Sequence, residues 1–321
     1  MSEKIEYTAV IRTLGTAREK YQILLNSLAV QTIKPKDIIV YIAEGYAIPK
    51  ETIGLERYVY VKKGMVAQRA LQYDEVTTEY ILFLDDDVYL PPNGVEVLFK
   101  QLKDNNADVI SPDVFPNSKR SFKSEMMMTL SGRMRARRND DKWGYKVMRN
   151  AGYSYNANPV KSVYWSQTNA GPCFLSAKKS FLDIHFEEEQ WMDELGYALG
   201  EDQVMFYKMY KKGLKILTSY DSGIEHLDAG TTISKDKEKT LIYADFRFKT
   251  IFWHRFIYLP EKSILQRLWS IFSIGYAFFF TLFISLIKGE LDILQLKWNS
   301  MKDGWAFIKS AEYKSLPNIK L

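Results

Sequence analysis

Residues 80–87 read Tyr-Ile-Leu-Phe-Leu-Asp-Asp-Asp, so an uncharged apolar run ends directly in three carboxylates. The run Tyr80–Leu84 is expected to form a buried strand. Asp85, Asp86 and Asp87 are costly neighbours, because each ionised group disfavours the next and burial adds to the penalty. A cation offsets that cost. Hard divalent ions such as magnesium or manganese take carboxylate oxygens and share them with phosphates. The competing reading is a solvated acidic loop at a strand end. Pro91-Pro92, which stiffens the following turn, weighs against it.

Upstream, strands are expected over residues 7–13, over Asp37–Ala43 after Pro35, and over Tyr58–Val61. Helical spacing separates them. Thr16 and Glu19 stand at the spacing of a capping box, Tyr21, Leu24, Leu25 and Leu28 recur at helical period, and a second helix is expected over Met65–Asp74. Downstream, Thr168–Ser176 reads as a strand with a Gly-Pro interruption. Gly200-Glu201-Asp202 opens a helix with Met205, Phe206, Met209 and Tyr210 on one face and Gly213 as its stop, and Leu214–Leu217 follow as a short strand. This alternation predicts an α/β fold with a doubly wound, mostly parallel sheet. Ligands bind such sheets at the carboxyl ends of the strands, where the three aspartates stand. Residues 1–245 are expected to form this domain and 246–321 a C-terminal helical region.

Composition sets limits. The 321 residues are 46% hydrophobic, enough for a packed core, and the net charge of +5 is too slight to argue for nucleic acid. Cys173, the single cysteine, excludes an internal disulfide and suits a reducing compartment. Residues 1–7 are polar and charged, without an apolar core of signal-peptide length, so no export is expected. Leu268–Ile287 carries no charge over about 20 residues, the length that spans a bilayer core. Arg267 and Lys288 flank it, and basic and aromatic residues precede it. This segment is expected to be membrane-inserted or membrane-associated, with residues 1–245 on the cytoplasmic face. Arg133, Arg135, Arg137 and Arg138 read either as a solvated loop or as a contact for phosphate. Trp143, Tyr145, Tyr153 and Tyr155 suit a sugar-stacking wall or core packing equally.

Several segments, in order, resemble the family-two inverting glycosyltransferases, which have the A-type nucleotide-binding fold. Val10-Ile11-Arg12-Thr13 resembles the first strand, and Ser27-Leu28-Ala29-Val30-Gln31-Thr32 the end of the first helix. Gly64 to Ala70 is similar to the family's G-x-x-x-A-R-N element, and Tyr80–Asp87 to its metal-motif strand. Gly200-Glu201-Asp202 with Gly213-Leu214-Lys215-Ile216 is similar to its acceptor-side element. The resemblance covers about residues 1–230. It departs at the second strand, which ends Ala43-Glu44-Gly45 instead of in aspartates, and at Ala70, which replaces an asparagine.

The resemblance implies a nucleoside-diphosphate sugar donor, a UDP-sugar by expectation, and a glycan or lipid-linked acceptor, in cell-surface polysaccharide synthesis. It implies Arg12, Thr13, Arg69, Asp85 and Asp86 in the nucleotide-sugar pocket, with Glu44 in place of a base-contacting aspartate. Asp87, Asp85 and His226 would hold manganese or magnesium, and Asp202 would be the general base with Glu201 positioning it or the acceptor. Without the resemblance, Glu201 and Asp202 are helix N-terminal carboxylates favoured by the dipole, His226 is a structural histidine and Arg69 a surface ion pair. Two alternatives stand beside this reading. A nucleotidyltransferase would want a glycine-rich basic loop, of which Leu14-Gly15-Thr16-Ala17-Arg18 is a poor version. A non-catalytic scaffold would not need both the acidic triplet and Glu201-Asp202.

Overall fold

The computed structural model describes residues 5–114, 121–132, 142–156, 158–228 and 235–319. Arg133, Arg135, Arg137 and Arg138 lie outside the described residues. In chain order the strands are β1 (Tyr7–Thr13), β2 (Asp37–Ala43), β3 (Glu56–Val61), β4 (Tyr80–Asp85), β5 (Val88–Tyr89), β6 (Val109–Pro112), β7 (Tyr145–Val147), β8 (Tyr153–Tyr155), β9 (Val163–Ser166), β10 (Cys173–Ala177), β11 (Ile216–Ser219) and β12 (Glu225–His226). The α-helices are α1 (Glu19–Ala29), α2 (Gly94–Asp104), α3 (Phe122–Leu130), α4 (Lys178–Leu182), α5 (Trp191–Glu194), α6 (Glu201–Lys211), α7 (Lys235–Phe252), α8 (Ile264–Ile287), α9 (Leu291–Lys309) and α10 (Ala311–Ser315).

Eight strands form one sheet in the order β3-β2-β1-β4-β10-β6-β11-β9. β3, β2, β1 and β4 are parallel, as are β6 and β11. β10 runs antiparallel between β4 and β6, and β9 is an antiparallel edge. The apolar run Ile38–Ile42 is buried throughout, as a strand covered on both faces must be. Side chains alternate between two layers. Val10 and Phe83 enter one core, and Ala9, Ile11, Leu82 and Leu84 the other. The carboxyl ends of β1 and β4 lie side by side, with Arg12 in register with Asp85.

Three local expectations change. Residues 65–74 do not form a helix. A turn there carries the bonds Gln68 N–H to Gly64 and Ala70 N–H to Val66, and its free N–H groups at Val66 and Ala67 are taken by Asp193 at 3.1 and 2.8 Å. A carboxylate from a distant segment replaces the continuation of the helix. Thr16 does not cap α1. The chain turns at Gly15 (φ +71), α1 starts at Glu19, and Arg18 before it has a φ of 53 and no side-chain cap bond. A Cβ on Gly15 would lie 2.5 Å from the Ala47 carbonyl oxygen, so this turn requires glycine. The strand expected from Thr168 begins only at Cys173, because Gly171-Pro172 belongs to the loop that enters the site. The strand expected at 214–217 is β11, two residues later.

Residue 245 lies inside α7. Phe248, Phe252 and Phe256 pack in the same core as Val10, Phe83 and Met205 of the sheet domain. An 18-residue stretch of α8 has a mean hydropathy of 2.0, and α8 is, among the described residues, the one helix long and apolar enough to cross a membrane.

Candidate active site

The end of β1, the end of β4, the Gly171-Pro172 loop and the N-terminus of α6 converge. Asp85 is held in place by its own N–H, which donates to the Pro172 carbonyl at 2.8 Å. Arg12 grips the Asp85 carboxylate with Nε and with Nη2, the latter at 3.1 Å, and places Nη1 3.0 Å from Glu201. Arg69 is 3% exposed and touches three carboxyl groups. It donates to Asp202, to Glu201 at 3.3 Å and to Asp85 at 3.3 Å, and its last direction goes to the Gly171 carbonyl at 3.0 Å. A planar fork with fixed donors suits this task as an ammonium group would not.

Two guanidinium groups therefore face three carboxyl groups. Burial and the neighbouring Asp202 charge push Glu201 well above the usual carboxylate range. Burial would raise Asp202 as well, but Arg69 and its other partners hold it below its ordinary value. The Gly171 N–H adds a bond to Asp202 at 2.9 Å. Gly171 is glycine for a reason: a Cβ there would fall 2.0 Å from Asp202 Oδ1 and 2.5 Å from Arg69 Nη1.

The rest of the triplet faces a cavity of about 600 Å³ lined by Arg12, Thr13, Lys63, Asp85–Asp87 and His226 among others. Thr13 Oγ1 donates to Asp86, and burial pushes Asp86 up to about 6. The short antiparallel pair β5–β12 sets Val88 opposite His226. His226 Nε2 consequently sits 3.0 Å from Asp87. That carboxylate raises the imidazole above its ordinary value against the effect of burial. His226 Nδ1 is buried and has no hydrogen-bond partner among the described residues.

A second cavity of about 420 Å³ lies beyond the arginine–carboxylate cluster. Asp202, Gln203, Tyr145, Tyr153, Tyr155 and Met128 line it, together with residues of α7. Arg69 thus touches Asp85, which faces the first cavity, and Asp202, which faces the second.

The structure brings together Arg12, Thr13, Arg69, Asp85, Asp86, Asp87, Glu201, Asp202 and His226. It leaves Glu44 exposed past the end of β2 and not among the residues lining the first cavity. Both Asp85 oxygens are engaged by arginines, and among the described residues no group of three or more His, Cys, Asp or Glu side chains is arranged to close on one metal ion. Tyr145, Tyr153 and Tyr155 share the second cavity, whereas Trp143 lies in a separate groove with Trp165. Gly171 and Asp193 escape a reading of the sequence. The Gly-Pro break in a strand pattern was the one visible signal for the first, and nothing marked the second.

Residues 34–158 match the model of glycosyl transferase family 2. Over that segment the chain is similar to the family 2 glycosyltransferases. The matched segment holds Arg69 and the acidic triplet, while Arg12, Glu201, Asp202 and His226 lie outside it. Similar solved structures include S. aureus TarS, at 13% identity and a TM-score of 0.43 over 77% of this chain and 39% of that one. GalNAc-T7 with UDP, GalNAc and Mn2+ is 12% identical, with a TM-score of 0.46 over 86% of this chain and 55% of that one. The chain spans less than half the length of the first and little more than half that of the second. No curated protein matches its sequence.

Proposed function

We propose that this glycosyltransferase moves a sugar, with inversion, from a nucleoside-diphosphate donor such as a UDP-sugar onto a hydroxyl of a glycan or lipid-linked acceptor. The observation that supports this most is the bridge made by Arg69 between Asp85 in one cavity and Asp202 in the other. The first cavity takes the donor and the second the acceptor. Inversion needs a carboxylate that accepts the acceptor's proton as the hydroxyl attacks from the face opposite the departing diphosphate. Asp202, ionised and lining the acceptor cavity, fills that role. Glu201, whose carboxyl burial and Asp202 push upward, positions Asp202 and the two arginines. The aromatic rings of Tyr145, Tyr153 and Tyr155 offer faces on which sugars stack.

A divalent ion fits beside this cluster. Asp87 and His226 offer an adjacent carboxylate and imidazole, and a magnesium or manganese site commonly completes itself with substrate phosphates. Such an ion, when bound, neutralises charge on the leaving diphosphate. Asp87 and His226 would hold it, while Asp85 stays with Arg12 and Arg69 to order the pocket for the nucleotide.

Nucleoside diphosphate release from a panel of sugar nucleotides, with added manganese and detergent, tests the reading. Release from no donor would sink it. Asp202→Asn is expected to keep donor binding, read as a thermal shift, and to lose about 10²–10⁴-fold in transfer rate. Undiminished transfer by this variant would place the base elsewhere.

A further inference from the structure

α8 presents its faces in the reverse of the order expected on a protein bathed in water. Ser270, Ile274 and Ser285 are buried, Ile274 in the core shared with the sheet, and Phe278 and Thr281 share their stripe. The steps of four, four, three and four residues trace one side of a helix. The opposite side presents Leu265, Trp269, Phe272, Tyr276, Phe279 and Phe283, exposed by 40 to 77%. The polar hydroxyls point inward and the large apolar groups outward. An exposed apolar face of this size marks a contact with something other than water.

Several contacts fasten the helix along its length. Tyr276 donates to the Leu130 carbonyl of α3 at 2.6 Å, the Phe278 ring meets Phe246 of α7 at 6.0 Å, and Lys297 of α9 donates to Ser285 at 2.8 Å. A helix of 24 residues is about 36 Å long. Fastened to α3, α7 and α9, it lies along the protein instead of projecting from it. Charge identifies the occupant of its outer face. Beside the N-terminal turns lies a cavity of about 410 Å³ lined by Arg149, Lys211 and Lys262 against the single carboxylate of Glu261. Cations at the edge of an aromatic-rich apolar face complement lipid phosphates. α3 continues the surface: Phe122, Met126 and Leu130, four residues apart, are exposed by 79, 44 and 46%.

We propose that α8 and α3 form a monotopic anchor lying in the plane of one leaflet of an anionic membrane. Met128 of α3 lines the second cavity, which sets that cavity beside the leaflet and favours an acceptor carried on a membrane lipid. This last step rests on the acceptor reading given above.

The full chain is added to sealed vesicles of phosphatidylcholine with or without phosphatidylglycerol, and flotation is measured. Wild type is expected to float with the anionic vesicles. Phe272→Asp with Phe279→Asp is expected to lower the bound fraction at least tenfold, with an unchanged unfolding temperature in detergent. Arg149→Glu with Lys262→Glu should abolish the preference for phosphatidylglycerol. Ser263→Cys and Glu290→Cys, placed singly at the two ends of α8, should both react fully with an impermeant maleimide from outside, the buried Cys173 staying silent. Protection of one end means a spanning helix and overturns the proposal. So does failure of wild type to float, and so does a vesicle-free dimer that the Phe272/Phe279 double variant dissociates, which would assign the face to a second copy. Donor hydrolysis in detergent separates this proposal from the transferase reading, because the Phe272/Phe279 double variant should retain the wild-type rate.

Discussion

Gly171 carries a requirement that no charge count reveals. Its missing Cβ leaves room for the Arg69–Asp202 pair, so Gly171→Ala adds one methyl where both side chains already sit. The added group has to displace Arg69 or Asp202. Transfer is therefore expected to fall about 10²-fold, with secondary structure by circular dichroism unchanged. Asp86 answers to pH. Its folded pKa of about 6 lies above the ordinary 3.8, so the folded state keeps a proton that the unfolded chain has released. Stability consequently falls as pH rises from about 4 to about 6 and stays lower above that, by at most about 3 kcal/mol. Asp86→Asn is expected to raise the unfolding temperature at about pH 7.5 and to leave it unchanged at about pH 4. Equal gains at both values would show that the Asp86 charge is not the cause. The sequence made the triplet and Glu201-Asp202 legible through residue type at the end of an apolar run or the start of a helix. It did not show that Arg12 and Arg69 would occupy Asp85, because strand register and a turn decide that.

Glu189 ties three elements into one unit. It ends a short turn before α5, is fully buried, and accepts from Lys208 of α6 at 3.0 Å. It also accepts two bonds from Arg255 at 3.1 Å and one from Trp191 at 2.7 Å. Burial would raise this carboxyl, but Lys208 and Arg255 together hold it below its ordinary 4.5. A lowered carboxyl contributes stability above its unfolded pKa and loses it as pH falls through the folded one, so the unit weakens in acid. Glu189→Gln strands two cations in the interior and is expected to cost about 3–5 kcal/mol, read from urea unfolding; a cost below 1 kcal/mol would show that solvent reaches the site. Periodicity made α1, β2 and β4 legible because their apolar positions alone fix which face is buried. It failed at 65–74, where Asp193 supplies from a distance the bonds a helix would have made, and at Arg18, where backbone geometry replaces a side-chain cap.

Across the whole molecule, the C-terminal helices reach Glu201 and Asp202 through packing alone. Gly304 of α9 faces Thr250 of α7 so closely that a Cβ would lie 2.8 Å from the Thr250 Cβ. Two residues before Thr250, the Phe248 ring covers Gly200, where a Cβ would come within 2.3 Å of the ring. Gly200, at φ +89, opens α6, whose first two residues are Glu201 and Asp202. A side chain at residue 304 therefore has to part α9 from α7, and any shift of α7 moves the ring that seats the start of α6. Gly304→Ala is expected to cost about 1–3 kcal/mol, because the near atoms are a branched Cβ and the Arg247 carbonyl rather than the end of a flexible chain. If the path through Phe248 is real, the variant loses transfer more than donor hydrolysis, since Asp202 is proposed for the acceptor side and the triplet is anchored independently on β4. Steady-state rates with and without acceptor, at a temperature where the variant is fully folded, separate the outcomes. An equal loss in both rates would mean that the tail stabilises the domain without steering the acceptor carboxylate.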